Sequence, residues 1–257
     1  MAGKVKGQAV VVKIEALEED IYSLWIKENK IASEAKAGQF ISFFSKDGSK
    51  LLPRPISICE IDREQDLVRV VFRVVGFGTK EFSQLKEGEM VEVMGPLGNG
   101  FTLQGTKAIL IGGGIGIPPM LELAKSLSIE KSIVLGYRTD DLFLKDEFEP
   151  YGNVYVSTED GTAGTKGNVI DAIREQNIEA DIIFACGPTP MLKGIKAYAK
   201  EHGITAQLSL EEKMACGIGA CLACVCKSKE KDHHTNVNNK RICKDGPVFY
   251  ADEIDAF

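Results

Sequence analysis

The chain changes its hydrophobic period once. Up to about residue 100, Val, Ile and Phe recur in short runs at 8–14, 21–27, 40–44, 56–61, 67–75 and 90–94. Gly, Asp and Lys clusters separate the runs, and strands this short at this spacing predict an antiparallel sandwich or barrel. One short helix is expected over 79–85, and the glycine-rich stretch at 95–100 reads as a boundary loop. From Lys107 onward, strand patterns at 108–111, 132–136, 154–157 and 182–185 alternate with helical patterns at 118–127, 168–176 and 190–202. Pro118 and Pro119 suit a first helical turn. The alternation predicts a parallel, doubly wound α/β sheet. A last strand at 206–210 leads into a Cys- and Gly-rich segment too short to bury a core, so a metal centre is expected to help fold it. The expected division is 1–101 for a β-barrel domain, 102–205 for an α/β domain and 206–257 for a small C-terminal subdomain.

Composition narrows the chemistry. The 257 residues, 44% of them hydrophobic and 26% charged, can bury two ordinary cores. A net charge of −6 argues against nucleic acid as a partner, since phosphate binding needs clustered Lys and Arg. No apolar run is long enough to span a bilayer, and the first residues run into a strand-like pattern rather than a signal core, so a cytoplasmic location is expected. Four of the seven cysteines fall within eleven residues, which points to metal rather than to disulfides.

Three motifs carry chemistry. Cys216, Cys221 and Cys224 are spaced x4 then x2, with Cys243 following after 18 residues, which is the plant-type 2Fe–2S pattern. The alternative is a four-cysteine zinc site, but zinc ribbons favour paired short spacers. Cys226 is read as a packed thiol, and His233 and His234 as residues of a solvated hairpin tip. The second motif is Arg54-Pro55-Ile56-Ser57, with Val71-Phe72-Arg73 on another strand and Gly76-Phe77-Gly78-Thr79 opening a helix. Arginine forks and free helical amides suit a pyrophosphate, and a nearby hydroxyl suits the polar edge of a flavin. The third is the turn Gly112-Gly113-Gly114-Ile115-Gly116 between strand and helix, where a dinucleotide can approach the backbone. Cys186-Gly187-Pro188 ends a later parallel strand, where such sheets place ligands. Cys186 itself reads equally well as a small core residue. No Ser-His-Asp or H-E-x-x-H pattern is present, so no catalytic acid–base residue of the chain's own is expected.

In this order the motifs resemble the ferredoxin–NADP reductase superfamily over 5–205. Glu211 to Cys224, together with Cys243 to Phe249, makes the whole chain similar to the electron-transfer subunits of dihydroorotate dehydrogenase B. The resemblance implies FAD on the barrel, held by Arg54, Pro55, Ile56, Ser57, Val71, Phe72, Arg73, Gly78 and Thr79. It implies NAD(H) as substrate in the α/β domain, at Gly113, Gly114 and Gly116, with Cys186, Gly187 and Pro188 at the nicotinamide. It implies a 2Fe–2S cluster on Cys216, Cys221, Cys224 and Cys243. It also implies an FMN-containing catalytic subunit as partner, in a heterotetramer of two subunits of each kind, serving pyrimidine synthesis. The alternatives within the superfamily are the FAD/2Fe–2S subunits of NADH-dependent ferredoxin–NADP oxidoreductases and the gamma subunits of sulfhydrogenases. The former tend to carry Asp where this chain has Cys216. An Asp pair at Asp140 and Asp141, after an α/β strand, favours NAD over NADP, with Arg138 beside it.

Overall fold

A computed structural model describes residues 4–231 and 236–255, so His233 and His234 lie outside the described residues. β1 (Val5–Ala16) and β2 (Ile21–Lys27) form a hairpin. After α1 (Asn29–Glu34) come β3 (Phe40–Phe43), β4 (Arg54–Asp62) and β5 (Leu67–Arg73), then α2 (Phe77–Phe82) and β6 (Met90–Leu97). The six strands close into an antiparallel barrel of order β1-β2-β5-β4-β3-β6. Ala9, Val11, Leu24, Ile26, Ile41, Phe43, Ile58 and Val70 fill it, as the period-two alternation predicts.

The helix expected over 79–85 starts two residues earlier and ends three residues earlier, at Phe82. Thr79 Oγ1 accepts from the amides of Val75 at 3.0 Å and Gly76 at 3.2 Å. Thr79 therefore sits inside the first turn and caps it from there, rather than starting the helix. α1 carries no sequence periodicity; the Glu28 carboxylate accepts from the Ile31 amide at 2.6 Å and starts it.

The second unit runs through β7 (Lys107–Gly113), α3 (Pro118–Ser126), β8 (Glu130–Tyr137), α4 (Lys145–Phe148), β9 (Asn153–Thr158), β10 (Thr165–Lys166), α5 (Val169–Glu175), β11 (Ile182–Cys186), α6 (Thr189–His202) and β12 (Thr205–Ser209). The centre of β7, from Ala108 to Ile111, is fully buried, the mark of a parallel strand covered on both faces. Asn168 caps α5 reciprocally with Asp171: its Oδ1 accepts from the Ile170 amide while its own amide donates to Asp171 Oδ2. The remainder is a hairpin of β13 (Val225–Lys227) and β14 (Asn239–Arg241), then α7 (Ile242–Asp245) and β15 (Val248–Tyr250).

The large sheet has the order β10-β9-β8-β7-β11-β12-β15, with β15 antiparallel to β12. A boundary at 206 therefore runs through one sheet: β12 pairs with β11, and β15 returns from the Cys-rich segment to extend it. The two larger units meet through an apolar core, in which Ile21, Cys59 and Val71 of the barrel share a buried cluster with Ile117, Met120 and Leu121, and through charge. Arg69 on β5 forms a bidentate pair with Glu147 on α4, and Lys125 on α3 reaches Glu60 on β4 at 2.6 Å. The buried Glu122 carboxylate on α3 accepts from the Ile61 amide at 2.9 Å.

Candidate functional site

The Cys-rich segment folds around its own sulfurs. Cys216 Sγ accepts from the amides of Ala220 at 3.3 Å, Cys221 at 3.4 Å and Ile218 at 3.5 Å. Cys243 Sγ, on α7, accepts from Gly219 at 3.1 Å, and Cys224 Sγ from Cys243 at 3.4 Å. Burial opposes ionisation of Cys216, yet the amides outweigh it and bring the thiol down to about 6. Burial, with the neighbouring Cys224, pushes Cys243 up to about 12. Backbone contacts thus set Cys221 beside Cys216 and Cys243 beside Cys224. No three His, Cys, Asp or Glu side chains among the described residues converge on a point that would hold a single ion. Two thiol pairs wrapped in amide donors match a two-iron cluster, in which each iron takes two cysteines. Cys226 stands apart on β13, opposite Lys240, and burial pushes its thiol up to about 11.

The barrel's outer face carries the second group. Ile56 and Ile58 lie in the barrel core, so alternation turns Pro55 and Ser57 outward. Val70 and Phe72 are likewise inside, which turns Val71 and Arg73 outward. Ile56 and Phe72 can thus offer only backbone to a ligand on this face; the Phe72 ring stacks on Tyr22 inside the barrel. The Thr79 hydroxyl is committed to the α2 cap. Arg54 fits the expectation best. A Cβ at Gly78 would stand 2.1 Å from Arg54 Nε, so glycine alone lets the guanidinium lie over the start of α2. Arg73 Nε is buried without a hydrogen bond, although Asp20 Oδ2 lies 3.1 Å away. Both arginines have the charge and placement to meet the pyrophosphate of FAD.

The third group lines a cleft of about 570 Å³ between barrel and sheet. Gly113, Gly114, Gly116, Gly187 and Pro188 line it, as do Asp20 and Arg73 from the barrel. The Cys186 side chain does not: it is 1% exposed, and burial, reinforced by the Glu211 carboxylate, pushes its thiol up to about 12. Arg138 and Asp141 face the cleft, with Asp141 accepting from the Thr139 hydroxyl at 3.0 Å. Ser157 and Glu159, which no motif pointed to, also line it, as does Glu211, the first residue of the segment that carries the family resemblance. Ser157 Oγ is buried with no hydrogen-bond partner, a polar atom left for a ligand to satisfy. Desolvation raises the Glu211 carboxyl above its ordinary range.

Residues 211–255 match the iron–sulfur cluster binding domain of dihydroorotate dehydrogenase B. The chain is 46% identical over 252 residues to the dihydroorotate dehydrogenase B (NAD(+)) electron transfer subunit of Fusobacterium nucleatum, covering 93% of this chain and 94% of that one. The chain belongs to this family of electron transfer subunits. The Bacillus cereus subunit is 41% identical, with 97% of this chain and 98% of that one covered. Residues 110–197, which include the glycine turn, match the oxidoreductase NAD-binding domain. A solved chain of an NADH-dependent reduced ferredoxin–NADP oxidoreductase, described in terms of flavin-based electron bifurcation, superposes with a TM-score of 0.86. It is 34% identical, with 100% of this chain and 92% of that chain covered. The ferredoxin reductase of carbazole 1,9a-dioxygenase, at 19% identity and a TM-score of 0.67, shares the fold over 78% of this chain and 67% of its own.

As an electron transfer subunit of dihydroorotate dehydrogenase B the chain is an oxidoreductase component, and the family name implies a separate catalytic subunit. No helix among the described residues is long and apolar enough to cross a membrane.

Proposed function

We propose that the chain carries electrons between an FMN-containing catalytic subunit and NAD+ in the cytoplasm, for pyrimidine synthesis. In this reading 1–101 bind FAD, 102–205 bind NAD(H), and 206–257 hold a 2Fe–2S cluster on Cys216, Cys221, Cys224 and Cys243. The observation that carries it is the pairing of four thiols under five amide donors, beside a barrel face and a cleft with unpartnered polar atoms. Arg54 and Arg73 hold the FAD pyrophosphate, Ser57 and the backbone of Ile56 meet the ring edge, and Val71 supplies an apolar wall. Pro55, Phe72, Gly78 and Thr79 shape that surface. Gly113, Gly114 and Gly116 admit the NAD pyrophosphate, with Gly187 and Pro188 beside the nicotinamide and Cys186 packed behind them. When bound, FAD supplies the exchange between one-electron and two-electron transfer.

Ile218 and Leu222, 44% and 47% exposed, flank the cysteine loop, and an apolar rim of this kind supports docking of the catalytic subunit there, in a heterotetramer with two of each subunit. The 34% likeness to the ferredoxin–NADP oxidoreductase chain supports a second reading, an electron-bifurcating subunit, which the higher identity to the dihydroorotate dehydrogenase subunits disfavours.

One experiment tests the division of labour. The isolated chain should reduce ferricyanide with NADH and leave dihydroorotate untouched, and dihydroorotate:NAD+ activity should arise on mixing with an FMN-bearing partner. Oxidation of dihydroorotate by this chain alone would overturn the assignment.

A further inference from the structure

Ser42 has no place in any of these motifs. It is fully buried on β3, and its Oγ has no hydrogen-bond partner. Its neighbours Ile41 and Phe43 point into the barrel core, so alternation turns Ser42 outward beside Phe40. Phe40 belongs to one buried cluster with Leu97, Cys224, Ile242 and Cys243, the outer wall against which the cysteine segment rests. In the sheet Ser42 stands between Met94 on β6 and Pro55 on β4. The cysteine loop closes over it: a Cβ on Gly217 would lie 3.1 Å from Ser42 Oγ, with Leu97 and Met94 next nearest. Gly217 also has a φ of +68°, so both its backbone and its space demand glycine. A hydroxyl in an apolar wall is costly when unmatched, and alanine would fill the same volume without that cost.

We propose that Ser42 Oγ–H donates a hydrogen bond to a sulfur of the iron–sulfur centre held by Cys216 and Cys221, and so raises its reduction potential. This rests on the cluster reading above. Adding one electron makes the sulfurs better acceptors, so a fixed donor stabilises the reduced centre more than the oxidised one. No bond is made or broken, and the proton stays on Oγ. Ser42 also shares its face with Pro55 and Ser57, so the donor stands between the cluster loop and the strand assigned to FAD.

The test uses the full chain as wild type, Ser42→Ala, Ser42→Thr and Ser42→Cys. Iron, acid-labile sulfide and FAD are counted, and the cluster is titrated with mediator dyes while its reduced signal is followed by EPR. Wild type without iron–sulfur signal would sink the cluster reading itself. With the cluster present, Ser42→Ala should favour the oxidised form by roughly three- to tenfold, where tenfold equals 59 mV for one electron. Ser42→Thr should restore the wild-type potential, and FAD absorbance should not change. Should Ser42→Ala assemble no cluster, the order Ser42→Thr near wild type and both above the weak thiol donor of Ser42→Cys carries the proposal. Equal potentials throughout, or a change confined to the flavin, would overturn it.

Discussion

Replacing Arg69 by Met should cost about 3 kcal/mol of stability, because Arg69 ties the barrel to the α/β unit from inside. It is 4% exposed. Its Nε donates to Ser23 Oγ at 2.8 Å and its Nη2 to Glu147 Oε1 at 3.0 Å, while Nη1 lies 3.4 Å from Glu60 Oε2. Removing one partner of a buried pair costs about 3–5 kcal/mol, mostly from the charge left behind. Two features hold the figure near the lower end. The Glu147 side chain is 41% exposed and can rehydrate, and Glu60 keeps Lys125 at 2.6 Å. For a chain of this size about 2–4 °C accompanies each kcal/mol, so the melting temperature should fall by about 6–12 °C. Glu147→Gln, which keeps a hydrogen-bond acceptor and leaves Arg69 with Glu60, should cost less than half as much. Circular dichroism melts of the three proteins at one ionic strength measure this. The cleft is walled by Asp20 and Arg73 from the barrel and by the glycine turns from the sheet, so KM for NADH should rise in Arg69→Met as well. A melting temperature within 2 °C of wild type, with KM unchanged, would refute the reasoning.

Two further outcomes test the cofactor assignments. Ser in place of Cys216, Cys221, Cys224 or Cys243 should abolish or cripple cluster assembly, since a hard alkoxide is a poor substitute for a soft thiolate; Cys226→Ser should keep its iron, as measured by iron and sulfide analysis. Arg54→Ala should weaken FAD by about 10- to 150-fold, the equivalent of about 1.5–3 kcal/mol for a charge-assisted contact. Gly78→Ala should do the same by displacing that guanidinium, and FAD retained through gel filtration in both variants would count against the pyrophosphate role.

The barrel and the parallel sheet were legible because their strands obey simple periods. The barrel strands are short Val-, Ile- and Phe-rich runs set apart by turn residues, and β7 after Lys107 is an unbroken apolar run; neither pattern depends on distant residues. The short elements were not legible. α1 and α4 span six and four residues, too few for a helical period, and α1 starts on a single Glu28 carboxylate. β15 is a strand only because β12 offers it an edge, a fact of topology. The motifs located the candidate sites but not the direction of their side chains. Ile56 and Phe72 belong to flavin-like motifs, yet their parity on β4 and β5 sends them into the barrel. Cys186 follows the same logic at the end of β11, where burial decides the thiol's position. Ser157 and Glu159 come to the cleft from the end of β9 and Glu211 from just beyond β12, an approach that depends on the order of strands in the sheet.

Burial explains what the motifs could not. Among the described residues three buried side-chain atoms lack hydrogen-bond partners: Ser42 Oγ, Arg73 Nε and Ser157 Oγ. A folded chain satisfies nearly all such atoms, so the exceptions ask what completes them, Arg73 Nε having only its ion pair with Asp20. The three are not scattered. Ser42 lies under the cysteine loop on the barrel's outer face, Arg73 stands where that face meets the cleft, and Ser157 lines the cleft on the sheet side. Taken in order they run from the cluster thiols, across the strands assigned to FAD, to the site assigned to NAD(H). The unmet hydrogen-bonding capacity therefore follows the proposed path of the electrons, and it does so in side chains that none but Arg73 shares with a recognised motif. An electron carrier must hold its centres close, and a continuous face of buried polar atoms running from the cysteine loop to the cleft serves that end.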